Sequence, residues 1–105
     1  MKPIVFHGNT LAVIRGFPEA VKKRAGYQLW LVQNGHTPTR WRPMPTVGKG
    51  VCEIKIKHKG EYRIIYMASL KDAVHVLGAF EKKTQKTPHK VIDLARKRLQ
   101  EALNG

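Results

Sequence analysis

The chain has 105 residues, of which 42% are apolar, so it can form one domain with its own core and is neither disordered nor long enough for two domains. No stretch approaches the roughly 18 consecutive apolar residues of a membrane-spanning helix. Lys and Arg number 20 against 7 acidic residues, and the resulting net charge of +13 predicts a polyanionic partner, above all RNA.

The first third of the chain predicts a short strand followed by two helices. Residues 2–6 (KPIVF) indicate the strand, with proline at a position that tolerates it. Asn9 is the expected N-cap of a short helix over residues 11–15, which the sequence GFP at 16–18 ends. A second helix extends to the Asn-Gly pair at 34–35, and its buried face recurs every three or four residues: Val21, Ala25, Leu29 and Val32.

Residues 36–49 show no hydrophobic period. The segment holds three prolines, and two arginines flank Trp41 within it. Loops of this length are uncommon in compact domains and often carry function. We therefore expect an irregular, functional loop.

Three strands joined by short turns come next, which is an antiparallel meander. Residues 51–59 alternate between apolar and charged side chains, so Lys55 and Lys57 share one face of the first strand. Tyr and Ile enrich the second strand, 61–68. Residues 73–80 are nearly all apolar, and we expect this third strand to be the central one, covered on both faces.

The rest of the chain predicts a basic loop over residues 81–88 and a last helix. Thr87 is the expected N-cap, with Pro88 in the first turn. The whole chain, residues 1–105, is expected to form one α+β domain. In it a small antiparallel sheet packs with two N-terminal helices and a C-terminal helix, in the order β-α-α-β-β-β-α. The last helix has a predicted buried stripe: Val91, Ile92, Ala95, Leu99 and Leu103.

The positive charge is concentrated in residues 36–63 and 81–98, each with seven Lys or Arg against two acids. The meander is expected to bring these segments together around one cationic concavity, which predicts a groove for an RNA backbone. The alternative to an RNA groove is that these cations only form a solvated strand face and a solvated loop, without a ligand. Four aromatic residues are candidates for stacking on splayed bases, although Phe80 and one tyrosine are expected in the core: Trp41, Tyr62, Tyr66 and Phe80.

No metal or other cofactor is predicted. The five histidines are scattered without ligand spacing, and the single cysteine, Cys52, excludes an internal disulfide. Without a signal peptide or a membrane span, the expected location is cytoplasmic. Metal-free RNA cleavage stays open, because clustered lysines can stabilise a phosphorane and a lysine, Glu53 or Glu81 can take the 2′-hydroxyl proton. For each glutamate the alternative role is charge balance.

Two paired segments, 51–57 (VCEIKIK) and 60–66 (GEYRIIY), resemble the paired strands of the RelE/ParE superfamily of bacterial toxins. Residues 79–88 (AFEKKTQKTP) resemble the signature of its phage-derived Gp49-like, HigB-type branch. The resemblance extends over about residues 10–100. Further short matches to the branch lie upstream: GYQL at 26–29, QNG at 33–35 and RPM at 42–44.

The resemblance implies a RelE-like fold and a toxin of a type II toxin–antitoxin system, encoded beside an antitoxin that often carries a helix-turn-helix DNA-binding domain. Many members cleave mRNA in the ribosomal A site without a metal. The chain lacks the C-terminal tyrosine of RelE and the histidines that several HigB relatives carry after the last strand. The catalytic residues that the resemblance implies are Lys55, Lys57, Arg63, Lys82 and Lys83.

The leading hypothesis is a metal-independent, ribosome-dependent mRNA endonuclease that inhibits translation. Arg63, Lys82 and Lys83 would stabilise the phosphorane, and Lys55 or Lys57 would position phosphate or move a proton. The alternatives are a ParE-like inhibitor of DNA gyrase and a non-catalytic RNA-binding domain. The expected partners are mRNA, the ribosome and an acidic segment of an antitoxin, with no membrane partner. Residues expected to contact RNA or the ribosome are Arg40, Arg42, Lys49, Lys86 and Arg96.

Overall fold

The computed structural model describes residues 1–105 and confirms the α+β class. None of its three helices is long and apolar enough to cross a membrane. The elements follow in this order: β1 (Ile4–Phe6), α1 (Thr10–Arg15), α2 (Glu19–Gln33), β2 (Trp41–Pro43), β3 (Val51–Lys57), β4 (Glu61–Met67), β5 (Val74–Lys82) and α3 (His89–Asn104).

The five strands form one mixed sheet in the order β1-β5-β4-β3-β2. The predicted meander is present as β3, β4 and β5, but β1 pairs parallel with β5, so the prediction of a purely antiparallel sheet is wrong. Short turns force antiparallel pairing only on the strands that they join, and no such turn joins β1 to its partner. The predicted central strand is also wrong, because β4 is central. The apolar run of β5 reflects burial on both faces and not its place in the order.

β2 lies inside the segment predicted to be an irregular loop. It is an edge strand, and Trp41 lies opposite Ile54 while Pro43 lies opposite Cys52. Proline has no N–H to give to a ladder, so an edge position suits it. A strand of three residues is too short to show a hydrophobic period, which explains why the pattern did not reveal it.

The two faces of the sheet carry two separate cores. Helices α1 and α2 cover one face, and the predicted stripe of α2 is buried there. Helix α3 covers part of the other face, where Ala95 and Leu99 pack over Ile65 and Leu77. The last turn of α3 presents Ala102 to this core, so Leu103 is exposed, contrary to the prediction. Beyond α3, the second face is lined by charged side chains.

Neither predicted N-cap makes a capping hydrogen bond. The Asn9 side chain instead accepts a hydrogen bond from Arg98 Nη2 at 2.9 Å, and Arg98 Nη1 donates to the Leu77 carbonyl at 3.0 Å. Thr87 lies outside α3, which begins after Pro88. Arg98 therefore ties α3 to β5 and to the start of α1, and this contact sets how far α3 reaches over the sheet.

Candidate functional site

The charged half of the sheet face outside α3 is built by strand register. Lys55 on β3 lies opposite Arg63 on β4, and Lys57 lies opposite Glu61. Glu61 in turn lies opposite Lys82 on β5. Because neighbouring strands are about 4.8 Å apart, the charged residues that lie opposite one another on β3, β4 and β5 are within roughly 10 Å of each other. The tight turn after β3, in which Lys59 adopts a left-handed φ of 53°, holds this register.

A chain of four charged side chains runs across this face. Glu53 is fully buried, and its Oε1 accepts a hydrogen bond from Arg42 Nε at 2.7 Å. Arg63 is only 6% exposed, and its Nε lies 3.5 Å from the same oxygen. On its outer side, Arg63 Nη2 lies 3.3 Å from Glu61 Oε1. The charges of the two arginines are therefore offset by two carboxylates, one of them buried.

The pairing limits what Glu53 and Arg63 can do. Glu53 cannot reach a substrate, so it is not a base, and its role is the charge balance given above as the alternative. Arg63 Nη1 donates to the Tyr62 carbonyl at 3.2 Å, which leaves Nη2 as the group toward the open side. Glu61 accepts from that group, so the Glu61 carboxylate competes with a phosphate for Arg63.

Arg63 opens onto a cleft of about 440 Å³, here called the β4–β5 cleft. It joins three of the five predicted catalytic residues in one space. Lys82 is the last residue of β5, and Lys83 follows it. The complete lining is Glu61, Arg63, Lys82, Lys83, Thr84 and Gln85.

A second, larger cleft of about 710 Å³, here called the loop cleft, shares Thr84 and Gln85 with the first. It lies between the segment after β2 and the loop before α3. Arg42 and Lys86, both predicted to contact RNA, line it. The same cleft contains His89, which sequence reasoning did not single out. Its place directly after Pro88, the last residue of the segment that resembles the family signature, was the available signal.

Lys55 and Lys57 lie elsewhere. They line a cleft of about 200 Å³ at the exposed edge of β3, here called the edge cleft, together with Arg24 and Arg40. The predicted single concavity is thus two clefts, because Arg63 and Glu61 on β4 line one of them and the lysines on β3 line the other. Arg24 was not predicted, and its position on α2 outside the buried stripe gave no hint of the β3 edge beside it.

Two of the residues predicted to contact RNA line none of these three clefts. Lys49 is exposed just before β3, at the opposite end of that strand from Lys57. Arg96 Nε donates to the Thr46 carbonyl at 2.8 Å and so fastens α3 to the segment between β2 and β3. Contact of either residue with the ribosome stays a prediction.

Most of the predicted stacking aromatics are inaccessible. Tyr62, Tyr66 and Phe80 are buried, and only Trp41 is exposed. This confirms the core position expected for Phe80 and one tyrosine, whereas base stacking by the other tyrosine is wrong. Sequence reasoning missed Tyr27 and Trp30, whose exposed rings stack at a centroid distance of 6.0 Å on the outer face of α2. Their i, i+3 spacing outside the buried stripe was the signal for this pair.

The remaining titratable groups lie outside the clefts. Burial raises the pKa of the Cys52 thiol, so Cys52 is a packed side chain and not a nucleophile. His75 is buried, and His7 Nε2 lies 2.8 Å from His75 Nδ1. Asp72 Oδ2 lies 3.2 Å from His75 Nε2. Burial, and then the charge of His75, lower the pKa of His7; Glu101 opposes this, and Arg98 lowers the pKa further by the smallest amount.

Comparison with protein families matches residues 12–100 to the family described as phage-derived protein Gp49-like (DUF891). The matched segment contains every residue that lines the three clefts. Among curated proteins, no significant match is found.

Proposed function

The chain belongs to the phage-derived Gp49-like family, a family of RelE/HigB-like toxins in general, and on that premise we propose a specific activity for it. It is the toxin of a type II toxin–antitoxin system, and it inhibits translation by cleaving mRNA on the ribosome. In this proposal, cleavage relies on the chain's own side chains and needs no metal ion.

The observation that carries this proposal is the β4–β5 cleft, in which Lys82, Lys83 and Arg63 surround one open space. In cleavage of this kind the 2′-oxygen attacks the adjacent phosphorus and the 5′-oxygen leaves, which yields a 2′,3′-cyclic phosphate and a 5′-hydroxyl. Negative charge grows on the phosphorane oxygens, and fixed cations stabilise it. The two lysines supply accessible charge, and Arg63 Nη2 adds to it once phosphate displaces Glu61.

The reaction also needs a base for the 2′-hydroxyl proton and an acid for the leaving 5′-oxygen. His89 lines the loop cleft that adjoins the β4–β5 cleft. We assign to His89 the role of the base that takes the 2′-hydroxyl proton, and the ammonium group of Lys82 or Lys83 gives a proton to the leaving 5′-oxygen. Substitution of His89 by glutamine is expected to lower the cleavage rate and leave RNA affinity unchanged.

The partners follow from the surfaces. Arg42 and Lys86 extend the cationic lining along the loop cleft, where flanking mRNA or ribosomal RNA would lie. An acidic antitoxin segment is the partner that a +13 chain favours. The exposed Tyr27–Trp30 pair on α2 suits a protein contact of this kind, since interface hot spots are rich in these residues.

Inducible expression with mapping of mRNA 5′ ends tests the activity. Wild-type protein is expected to arrest translation and to produce new 5′ ends within translated reading frames. Lys82→Ala with Lys83→Ala removes this effect, whereas Lys71→Ala, an exposed lysine in the β4–β5 turn at the far end of the sheet, keeps it. New 5′ ends that survive the double substitution would rule out the β4–β5 cleft as the catalytic site.

Inhibition of DNA gyrase is the second candidate, favoured by the exposed aromatic pair on α2, which a phosphate-binding cleft does not require. It predicts altered plasmid supercoiling and DNA-damage signalling on expression, with mRNA left intact. In that case Tyr27→Ala with Trp30→Ala abolishes toxicity, and the lysine substitutions in the β4–β5 cleft do not.

A further inference from the structure

The edge cleft holds four cations and no acid. Arg24 comes from α2, Arg40 precedes β2, and Lys55 and Lys57 belong to β3. The cleft opens before β2 begins, and beyond the bond from the Lys55 N–H to the Arg40 carbonyl no strand covers the edge of β3. Like charges gathered without a counter-charge repel one another, and a bound anion relieves that repulsion.

Hydrogen bonds build the walls of this cleft. Arg24 Nη1 donates to the Lys57 carbonyl at 2.7 Å, which fixes the guanidinium beside the strand edge. On the other wall, Gln28 Nε2 donates to Thr39 Oγ1 at 2.9 Å, and the Thr39 N–H donates to Gln28 Oε1 at 2.7 Å. A guanidinium has five N–H donors, so Arg24 keeps donors for an anion after this contact.

The edge cleft also borders the β4–β5 cleft. Lys55 lies directly opposite Arg63, and Lys57 lies opposite Glu61, so one strand step separates the two linings. Arg40 just before β2, Lys55 on β3 and Arg63 on β4 lie side by side, because the Lys55 N–H bonds to the Arg40 carbonyl at 2.9 Å and Lys55 lies opposite Arg63. A flexible chain with regularly spaced anions can occupy both clefts at once, which favours RNA over an isolated carboxylate.

We propose that the edge cleft is a second phosphate subsite. It binds a backbone phosphate of the same single-stranded RNA whose scissile phosphate lies in the β4–β5 cleft, and Arg24 is its central residue. This inference rests on the proposed function. It divides the predicted catalytic residues by role: Arg63, Lys82 and Lys83 act at the scissile phosphate, and Lys55 and Lys57 hold the strand beside it.

RNA length tests the proposal. Binding is measured with two non-cleavable 2′-O-methyl RNAs, a dinucleotide that fits one cleft and an oligonucleotide long enough to cross both. Arg24→Gln is expected to weaken binding of the long RNA about tenfold and to leave the dinucleotide unaffected. The slope of log affinity against log salt for the long RNA falls by about 0.7, which is the effect of losing one phosphate contact on a single strand.

Lys23→Gln is the matched control, because Lys23 is the adjacent exposed cation on α2 and lines no cleft. Arg40→Gln is a second test variant, since the Arg40 side chain makes no hydrogen bond within the protein and its loss does not threaten folding. Equal effects of Arg24→Gln and Lys23→Gln on the long RNA would overturn the proposal, because they would indicate only general charge attraction.

Four further outcomes count against it. An equal loss for the dinucleotide would show that the two clefts are one site. Unchanged RNA binding together with weakened binding of a polyglutamate peptide would assign the cleft to an acidic protein partner. If wild-type protein binds neither RNA, the proposed function fails as well. If wild-type protein binds and cleaves RNA while Arg24→Gln and Arg40→Gln change nothing, the second subsite alone is wrong.

Discussion

The β4–β5 cleft and the edge cleft lie one strand apart and hold charge in opposite ways. In the first, Arg63 is buried and paired with Glu53 and Glu61. In the second, Arg24 and Arg40 make no contact with an acid, and the lining holds none. Both clefts are rich in cations, yet one arginine is fixed by carboxylates and the others remain available to a ligand. Counting cations along a chain therefore overestimates the charge that a phosphate meets.

The largest expected effect concerns the buried carboxylate. Glu53→Ala leaves Arg63 buried without its inner partner, and losing one member of a buried pair costs about 3–5 kcal/mol of folding free energy. Arg24→Gln removes one exposed hydrogen bond and is expected to cost less than about 1 kcal/mol. Urea denaturation of both variants measures the difference. Equal losses of folding free energy in the two variants would contradict the view that the charges of the β4–β5 cleft are buried and paired while those of the edge cleft are exposed.

A smaller effect is expected on RNA affinity. Glu61→Gln removes the carboxylate that occupies Arg63 Nη2, and it makes the β4–β5 cleft resemble the edge cleft, with cations and no acid. Affinity for a non-cleavable RNA is expected to rise by about three- to tenfold.

Glu81→Gln is the control for this gain, because it removes the same charge from an exposed glutamate near the end of β5 that does not contact Arg63. A gain of the same size in both variants would show that only net charge matters. A loss in Glu61→Gln would show that Glu61 supports Arg63 and does not block it.

The smallest effect comes from outside both clefts. The pKa of His7 is lowered in the folded protein, so below about pH 6.5 the unfolded chain binds this proton more readily and the fold loses stability. The groups that face His7 are His75, Arg98 and Glu101, and Asp72 lies beyond His75. The Tm of wild-type protein is expected to fall between pH 7 and pH 5, and His7→Gln reduces that fall.

His36→Gln, which changes an exposed histidine in the segment before β2, is expected to keep the pH dependence of wild type. Because the β4–β5 cleft and the edge cleft hold lysines and arginines but no histidine, salt-dependent RNA binding in them would change little over this range. A parallel loss of RNA affinity and Tm would connect the histidine pair to the clefts, contrary to their separation in the fold.

Much of the candidate site was accessible to sequence reasoning. The alternation of residues 51–57 placed Lys55 and Lys57 on one face of a strand, and both share that face in the structure. The resemblance to known toxins pointed to Arg63, Lys82 and Lys83, and these line one cleft. Local periodicity and short motifs were enough here, because each of these inferences concerns residues within one strand or at its end.

The buried state of Arg63 and Glu53 was not accessible in the same way. Both look like exposed charges on a strand face, since alternation reports which side a residue faces and not what covers that side. Whether Arg63 and Glu53 are buried depends on the positions of Arg42 and Glu61 and on how far α3 extends over the sheet. Arg24 was not predicted as a site residue for the same reason, because only the packing of α2 beside the edge of β3 brings Arg24 to Lys57.

The sequence by itself determined the helices, the meander, the excess of cations and the strand face on which they lie, because these follow from periodicity, turn residues and composition. The tertiary structure decided which cations are paired and which are free, and it divided one predicted groove into two clefts. Ion pairs and clefts depend on atoms brought together from distant parts of the chain. Strand register and the coverage of α3 set those distances, and no local pattern encodes either of them.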